Sequence, residues 1–248
     1  MNLEIWAINH KIPEVSGVFG GISRQFISGT NDTGMHVLEP RYADMRCPYH
    51  LWKTGRVAPY IGFHGYRKFI NFRDPVATTK CNLAPGWEEV PHAAFLAYQY
   101  WLATRPAATI LQLLEGYDLL TVEPFDCGYN GTISDDYIKS RSRDDWWAFE
   151  DAMIRHGFHP KDFLTHHIRP MHFVTTDRIF CKFMQRWADV MFECEPKVKS
   201  EDAKTDDYPP RSLAYLSERF WSLWVERQVR EGLLRIKTLP LMICWSAY

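Results

Sequence analysis

The sequence predicts a single α/β domain over residues 1–248, with a mixed, mostly parallel central sheet flanked by helices. Three short apolar runs have the length and composition of buried strands, at residues 3–8, 59–63 and 117–122. Longer segments with helical spacing alternate with these runs, and no internal repeat breaks the order. A chain of 248 residues is long enough to form one large core without disulfides.

The composition is typical of a globular protein, with 46% hydrophobic and 24% charged residues. The 29 Lys and Arg against 30 Asp and Glu leave a net charge of −1, so no global field attracts nucleic acid. The six cysteines include no C-x-x-C pair, which disfavours a zinc knuckle or a disulfide framework. The sequence shows neither a signal-peptide pattern nor an uninterrupted apolar segment of membrane length. We therefore expect a cytoplasmic protein.

Helical spacing is found in four segments, at residues 39–53, 91–114, 142–156 and 179–192. Pro48 limits the length of one regular helix in the first segment, where a kinked helix is expected, and Pro106 divides the second segment into two helices. Ser142 and Asp177 are expected to cap the third and fourth helices. A further strand is expected at residues 173–175.

The C-terminal part of the chain separates into a linker and a helix. Residues 197–210 are rich in Lys, Asp and Pro, and they predict a polar linker. An amphipathic helix is expected to follow over residues 213–227. The turn-rich segment 127–132 is expected to form a surface loop.

Polar residues follow the first two predicted strands directly. His10 and Lys11 come after the first strand, and a basic, glycine-containing segment at residues 64–68 comes after the second. In open α/β sheets, ligands bind beyond the carboxyl ends of the strands. These residues are therefore candidates for contact with a substrate.

Six sequence blocks occur in a characteristic order: IWAINHK, NDTG, PRYADMRCPYHLWK, YIGFHGYRKFI, HFVTTDRIFCKFMQRWADVMFE and YLSERFWSLWV. Together they span residues 5–225 and resemble the DUF4422 family, found in bacterial capsule and exopolysaccharide loci. The resemblance implies a GT-A-like (Rossmann-like) fold and glycosyltransferase activity. It also implies a nucleotide-sugar donor and a glycan or lipid-linked glycan acceptor, and the net charge of −1 already predicts no nucleic-acid partner.

Two departures mark the chain as a divergent member of that family. Residues 64–68 read HGYRK, whereas the family usually has a cysteine-histidine-tyrosine-arginine-arginine run. The histidine is thus shifted by one position, which reverses the facing of a side chain in an extended segment. Residues 42–46 read YADMR and keep the acid of a family tyrosine-x-glutamate-leucine-threonine run.

The resemblance implies which residues contact the nucleotide. His10 and Lys11 match a strand-ending pair that is expected at the nucleotide or its phosphates. Asp32 and Thr33 match a turn of the family and are candidates for contact with the donor, and an ordinary surface turn explains this pair equally well.

The leaving diphosphate requires positive charge in the transition state. Many GT-A enzymes hold Mg²⁺ or Mn²⁺ with a D-x-D motif, and this sequence contains none. Our hypothesis is that Arg67, with Lys68 and Arg219, supplies the charge directly, because guanidinium groups fit phosphate oxygens. His64 and Tyr66 lie on the same segment and complete the donor-binding candidates, whereas a solvated basic turn is the structural alternative.

An inverting transferase also needs a base for the acceptor hydroxyl. Asp145 matches an acid at the start of the central helix, and Glu218 lies in a serine-glutamate-arginine triplet of the last block. Each has a structural alternative, as a helix-start acid or as a member of a surface ion pair. A retaining enzyme needs no such base, so the stereochemistry stays open.

Other functions are also open at this point. A non-catalytic nucleotide-sugar or glycan-binding subunit would equally lack the D-x-D motif. A metal-dependent hydrolase would need zinc ligands among five histidines, although their spacing is not that of a helical pair: His156, His159, His166, His167 and His172.

The tryptophans at residues 146–147 and 220–224 either pack in the core or stack on sugar rings. Any exposed remainder of the second group, with Arg227, Arg230 and Arg235, is a candidate for peripheral contact with the inner face of a membrane.

Overall fold

The computed structural model describes residues 2–9, 22–27, 40–65, 68–72, 79–80, 87–105, 107–127, 131–199 and 211–245. The strands are β1 (Leu3–Asn9), β2 (Ser23–Ile27), β3 (Tyr60–Gly65), β4 (Lys68–Ile70), β5 (Thr79–Lys80), β6 (Trp87–Glu89), β7 (Leu119–Val122), β8 (Phe125–Asp126), β9 (His167–Ile168), β10 (Phe173–Thr176), β11 (Ile236–Leu239) and β12 (Leu241–Ile243). The α-helices are α1 (Arg46–Thr54), α2 (His92–Thr104), α3 (Ala107–Leu114), α4 (Ile133–Ser140), α5 (Arg143–Arg155), α6 (Asp177–Cys194) and α7 (Ser212–Arg230). Short 3-10 helices cover Pro40–Met45, Pro160–Leu164 and Glu195–Lys197.

The main part of the sheet has the strand order β2-β1-β3-β10-β7-β11. Strand β1 pairs in parallel with β2 and β3, and β7 pairs in parallel with β11. Strand β10 is antiparallel to both β3 and β7. Five of these six strands therefore run in one direction, and the predicted mixed, mostly parallel sheet with flanking helices is confirmed.

A smaller part of the sheet continues from the end of β3. Strand β4 pairs with β3 at one position, where Lys68 lies opposite Gly65. Strand β12 then joins β4 to β6, and β5 pairs with β6 at the edge. This extension brings the start of β4 beside the carboxyl end of β3.

The two faces of the sheet are covered by different helices. Leu3, Ile5 and Ala7 of β1 belong to a core that includes α2 and α3, whereas Ile8 belongs to a core formed with α1, α5, α6 and α7. This division follows the alternation of side chains along a strand. Helices on both faces agree with the predicted α/β architecture.

The helix boundaries confirm some expectations and correct others. Helix α5 follows Ser142, whose hydroxyl accepts the backbone N–H of Asp145. Helix α6 is capped by Thr176, so the prediction of Asp177 as the cap is wrong. Asp177 is instead the first helical residue, where an acid interacts favourably with the helix dipole.

The segment 39–53 is helical and kinked, but the kink does not lie at Pro48. Pro48 lies in the first turn of α1, where a proline removes no intrahelical hydrogen bond. The chain breaks earlier, at Ala43, which has φ 39° and ψ −109° inside the 3-10 segment Pro40–Met45. A non-glycine residue rarely adopts a positive φ, so this break requires support from the surrounding structure.

The start of the predicted linker over residues 197–210 packs against the domain. Val198 is buried, and the backbone N–H of Lys199 donates to Oδ1 of Asp145 over 2.9 Å. Residues 200–210 and residues 128–130 of the predicted surface loop lie outside the described part of the chain. The predicted C-terminal helix is confirmed as α7.

Candidate functional site

A cavity of about 300 Å³ lies at the carboxyl ends of β1 and β3. Ile8 of β1 and Gly65 of β3 are paired in the sheet, and both line this cavity. His172 precedes β10, which is antiparallel and therefore begins beside the end of β3. Helix α7 contributes Tyr215 and Glu218 to the wall. The cavity thus occupies the position where ligands bind in open α/β sheets.

The lining is polar at its centre and contains charges of both signs. The acids, cations and histidines that line it are Asp44, His64, Lys68, His172, Arg211 and Glu218. They come from four separate stretches of the chain, which the fold brings together. Two carboxylates and two cations in one cavity can bind a polar ligand and exchange a proton with it.

His64 is a neutral hydrogen-bond donor in the cavity wall. Its side chain is buried, and its Nδ1 accepts the backbone N–H of Ile70 over 3.2 Å. Burial lowers the pKa of His64 from 6.5 to about 3. The neutral ring therefore carries its proton on Nε2, which has no hydrogen-bond partner within the described residues. His64 can donate an N–H to a ligand but supplies no positive charge at neutral pH.

His172 is the second neutral imidazole of the cavity. Its Nδ1 accepts the backbone N–H of Gly65 over 3.2 Å. Burial, and to a smaller extent the charges of Lys68 and His64, lower the pKa of His172 well below 6.5. The ring approaches Gly65 so closely that a Cβ there would lie 3.3 Å from Cε1 of His172. Glycine at position 65 therefore permits this contact.

Positive charge in the cavity comes from Lys68 and Arg211. Lys68 was predicted as a diphosphate ligand, and its Nζ lies 5.1 Å from the centre of the Trp87 ring. Arg211 was missed, since it comes directly after a segment predicted to be a polar linker. Both cations lower the pKa of Asp44, which indicates that their charges act on the cavity.

Asp44 is the acid that sequence reasoning missed. It lies in the 3-10 segment Pro40–Met45, next to the strained Ala43, and lines the cavity with a partly buried side chain. Burial, as the largest cause, and the charge of Glu218 raise its pKa above 3.8. Its carboxylate accepts no hydrogen bond from the part of the chain that the structure describes. The available signal was the acid retained in the YADMR block.

Glu218 and Arg219 occupy different positions relative to the cavity. Glu218 lines it, and its Oε2 accepts a hydrogen bond from Nη1 of Arg219 over 2.8 Å. Arg219 is buried outside the lining, and its Nη2 pairs with Asp136. Arg219 is thus held between two carboxylates, which fits a residue that positions Glu218 better than one that binds phosphate.

The structure separates Asp145 from the cavity. Asp145 is buried on α5, and its Oδ1 accepts the backbone N–H of Lys199. It is not among the residues that line the cavity. The two predicted bases are therefore not brought together, and only Glu218 reaches the candidate site.

Several predicted donor-binding residues lie outside the described part of the chain: His10, Lys11, Asp32, Thr33, Tyr66 and Arg67. Gly65 and Lys68 line the cavity. Tyr66 and Arg67 are the two residues between them in the sequence. The roles of all six stay predictions.

The five histidines considered as zinc ligands do not meet. His172 lines the cavity, whereas the other four have partners elsewhere: Glu193 for His156, the backbone of Lys161 for His159, the backbone of Gly131 for His166, and Asp126 for His167. Within the described ranges, no three His, Cys, Asp or Glu side chains are grouped so that they could hold a metal ion.

The aromatic residues of α7 belong to the core. Phe220, Trp221 and Trp224 are each at most 2% exposed, so the exposed aromatic patch considered for this helix is absent. The arginines that follow pair with acids: Arg227 with Glu231, Arg230 with Asp162, and Arg235 with Asp118. None of the helices that the structure describes combines the length and hydrophobicity needed to cross a bilayer.

Comparison with known proteins agrees with the resemblance read from the six blocks. Residues 24–229 match the DUF4422 family, whose description is a domain of unknown function. The apo structure of the bifunctional glycosyltransferase WbbM matches with a TM-score of 0.80 and 16% sequence identity. The match covers 99% of this chain and 46% of that one, so this chain spans just under half of that protein's length. No curated protein matches this chain significantly. The structural likeness establishes a shared fold.

Proposed function

Because the chain belongs to the DUF4422 family, we propose that it is a hexosyltransferase-like glycosyltransferase. It moves a sugar from a nucleoside diphosphate sugar to a growing capsular, exopolysaccharide or lipopolysaccharide glycan. The observation that carries the proposal is the cavity of acids, cations and neutral imidazoles at the carboxyl ends of β1 and β3. The fold shared with a bifunctional glycosyltransferase supports it.

Glycosyl transfer develops negative charge on the diphosphate as the bond to the sugar breaks. Lys68 and Arg211, which line the cavity, supply positive charge for this group in the proposed reaction. Arg67 precedes Lys68 in the sequence and matches the family arginine, so we assign it to the same group. Arg219 acts indirectly, by holding Glu218 in place.

The remaining donor contacts are proposed from the sequence. His10, Lys11, Asp32 and Thr33 are assigned to the nucleotide, and Tyr66 is assigned to the segment beside the diphosphate. His64 contributes a neutral N–H, because its lowered pKa of about 3 prevents it from carrying charge at neutral pH. A neutral donor suits a hydroxyl or carbonyl oxygen of the substrate.

Of the two bases predicted from the sequence, Glu218 fits a role in the reaction better. It lines the cavity, whereas Asp145 accepts a backbone N–H away from it. We therefore assign Asp145 to the support of residues 198–199 and keep Glu218 as a cavity acid.

The residues described do not favour a resident Mg²⁺ or Mn²⁺ ion. The sequence lacks a D-x-D motif, and the described ranges contain no group of three potential metal ligands. Cationic side chains can perform the same electrostatic task in the cavity. The proposed reaction therefore uses Lys68 and Arg211 and includes no step through a metal ion.

The acceptor is proposed to be a glycan or a lipid-linked glycan. Peripheral contact with a membrane receives no support from α7, whose aromatic residues are buried. The cytoplasmic location expected from the sequence stays a prediction.

The experiment that tests this function is a thermal-shift panel with UDP, GDP, CMP, dTDP and their common sugar conjugates, followed by an assay for release of the nucleotide from the best binder. A ligand at 100 times its Kd stabilises the fold by about 2.7 kcal/mol, so one nucleotide is expected to raise Tm selectively. Slow hydrolysis of the sugar conjugate is expected without an acceptor.

A matched pair of variants connects the result to the cavity. Lys68→Met is expected to lose most of the nucleotide-induced shift. Lys53→Met is expected to keep it, because Lys53 also lies over a tryptophan ring, 4.3 Å from the centre of Trp52, but is exposed on α1. Binding without turnover would instead favour the non-catalytic subunit, and the absence of any shift would contradict the donor class.

A further inference from the structure

The three acids considered for catalysis differ in what already binds them. Asp145 accepts the backbone N–H of Lys199, and Glu218 accepts a hydrogen bond from Arg219. Asp44 lines the cavity and accepts no hydrogen bond from the residues that the structure describes. A carboxylate whose oxygens are not engaged by these residues is available to a group of the ligand.

The backbone beside Asp44 is strained. Ala43 has φ 39°, a region that non-glycine residues rarely adopt. On one side of it, Tyr42 is fully buried and its hydroxyl donates to Glu195 over 2.8 Å. On the other side, Asp44 reaches the cavity. Such strain persists only where the surroundings impose it, and it is concentrated at functional sites.

The charges around Asp44 favour a proton acceptor. Burial and the neighbouring charge of Glu218 raise the pKa of Asp44, and Arg211 and Lys68 oppose this shift. His64 and His172 face the same cavity as neutral groups. A base becomes stronger as its pKa rises toward the working pH, provided that it stays ionised there.

We propose that Asp44 is the base that takes the proton from the acceptor hydroxyl. This inference rests on the proposed glycosyltransferase function. In the transfer, the hydroxyl oxygen forms a bond to the anomeric carbon while its proton passes to the carboxylate of Asp44. The bond from the anomeric carbon to the diphosphate breaks, and its electron pair leaves on the diphosphate oxygen, near Lys68 and Arg211. A direct displacement of this kind inverts the anomeric configuration.

The test compares Asp44→Asn with Glu218→Gln and with the control Asp189→Asn. Asp189 lies on α6, where its Oδ1 accepts a hydrogen bond from the side chain of Gln185. The probe is the nucleotide sugar that stabilises the wild-type protein most, with water as the acceptor. Asp44→Asn is expected to lower kcat about 100-fold or more while the donor Kd changes less than about threefold. Asp189→Asn is expected to keep both values, and ¹H NMR is expected to show the inverted anomer as the first released sugar.

A measurement without substrate tests whether Asp44 has a structural role. Asp44→Asn removes a partly buried charge and no hydrogen bond to the described residues, so it is expected to raise Tm by about 2 °C. Asp145→Asn is expected to lower Tm, because it weakens the bond to the backbone of Lys199. A clear fall of Tm in Asp44→Asn would identify a structural residue and overturn the inference.

The remaining outcomes separate this inference from the proposed function. If wild-type protein releases nucleotide and Asp44→Asn does so at a similar rate, the inference fails while the glycosyltransferase function stands. Loss of turnover in Glu218→Gln alone would assign the proton transfer to Glu218 and would equally overturn it. If the wild-type protein neither binds nor hydrolyses any donor of the panel, the proposed function fails first, and the role of Asp44 fails with it.

Discussion

The backbone N–H of Gly65 donates a hydrogen bond of 3.2 Å to Nδ1 of His172, which joins the last residue of β3 to the residue before β10. Gly65 also lies opposite Ile8 of β1 and Lys68 of β4. One glycine therefore connects four segments at the edge of the cavity. The bond also leaves the ring proton of His172 on Nε2.

Two glycines of β3 are expected to differ in their tolerance of a side chain. A Cβ at Gly62 would lie 2.8 Å from Cγ2 of Val174 and 2.9 Å from the carbonyl oxygen of Phe173, whereas at Gly65 the nearest atom belongs to the His172 ring at 3.3 Å. Gly62→Ala is expected to destabilise the fold by about 2–3 kcal/mol and Gly65→Ala by about 1 kcal/mol. Urea unfolding measures both values.

The two variants also differ in their expected effect on the site. Gly65→Ala displaces His172 within the cavity and is expected to weaken donor binding out of proportion to its small effect on stability. Equal destabilisation by both variants, or unchanged donor affinity in Gly65→Ala, would contradict the close contact between Gly65 and His172.

Stability is expected to fall on acidification because His64 is buried in its neutral form. The pKa of His64 is about 3 in the folded protein and 6.5 in an ordinary environment, so the unfolded state binds more protons between these values. Stability therefore rises with pH across this window, with a slope of at most about 1.4 kcal/mol per pH unit from one histidine. His64→Gln is expected to flatten the slope of the unfolding free energy between pH 4.5 and 6.5.

A second variant checks the origin of that slope. His172 also has a lowered pKa, so His172→Gln is expected to flatten the slope as well, and the double variant is expected to flatten it further. The lowered pKa of His64 would be refuted by an unchanged slope in His64→Gln, with urea unfolding remaining reversible at each pH.

Tyr98 is expected to stabilise residues 70–72, which contact His64 of the cavity wall. Its hydroxyl donates to the carbonyl of Ile70 over 2.6 Å and accepts the backbone N–H of Phe72 over 3.0 Å. Tyr98→Phe leaves both buried backbone groups without this partner and is expected to cost about 2 kcal/mol of stability. Tyr100 on the same helix is 60% exposed, so Tyr100→Phe is the matched control and is expected to change stability by less than about 0.5 kcal/mol.

One outcome would contradict the predicted role of Tyr98. If Tyr98→Phe unfolds at the same urea concentration as Tyr100→Phe, water or a backbone shift satisfies the two freed groups, and the support from α2 is unimportant. A loss in Tyr98→Phe alone would establish that α2 helps to hold the segment after β4, whose Ile70 N–H donates to His64.

The sequence predicts the long elements of this fold well, because hydrophobic periodicity identifies segments of sufficient length. Strands such as β4 and β12, with three residues each, were missed, since such short runs have no measurable period. Thr176 and Asp177 are adjacent potential caps, and the sequence alone does not distinguish them. The break at Ala43 has no signal at all, because alanine normally avoids a positive φ.

Only part of the candidate site could be predicted from the sequence. Residues 64–68 were identified because they follow a buried strand, and the structure has His64 and Lys68 at the cavity. Arg211 and Asp44 are far from them in sequence and meet them only through packing of α7 and the 3-10 segment Pro40–Met45 against the sheet. The local sequence pattern predicts where strands end, whereas contacts between distant segments can be identified only from the folded structure.

Turnover of the donor is expected to survive removal of divalent metal ions. Lys68 and Arg211 supply two positive charges in the cavity, and no group of three potential metal ligands occurs in the described ranges. Cations that are part of the protein are not removed by a chelator, so nucleotide release in EDTA is expected to stay within about threefold of the rate in Mg²⁺. Lys68→Met is expected to lose turnover under both conditions, since its loss removes charge that added metal cannot replace at the same position. Complete loss of turnover in EDTA with rescue by Mg²⁺ or Mn²⁺ would contradict this assignment and would direct the search for metal ligands to residues outside the described ranges, with Asp32 as the first to be substituted.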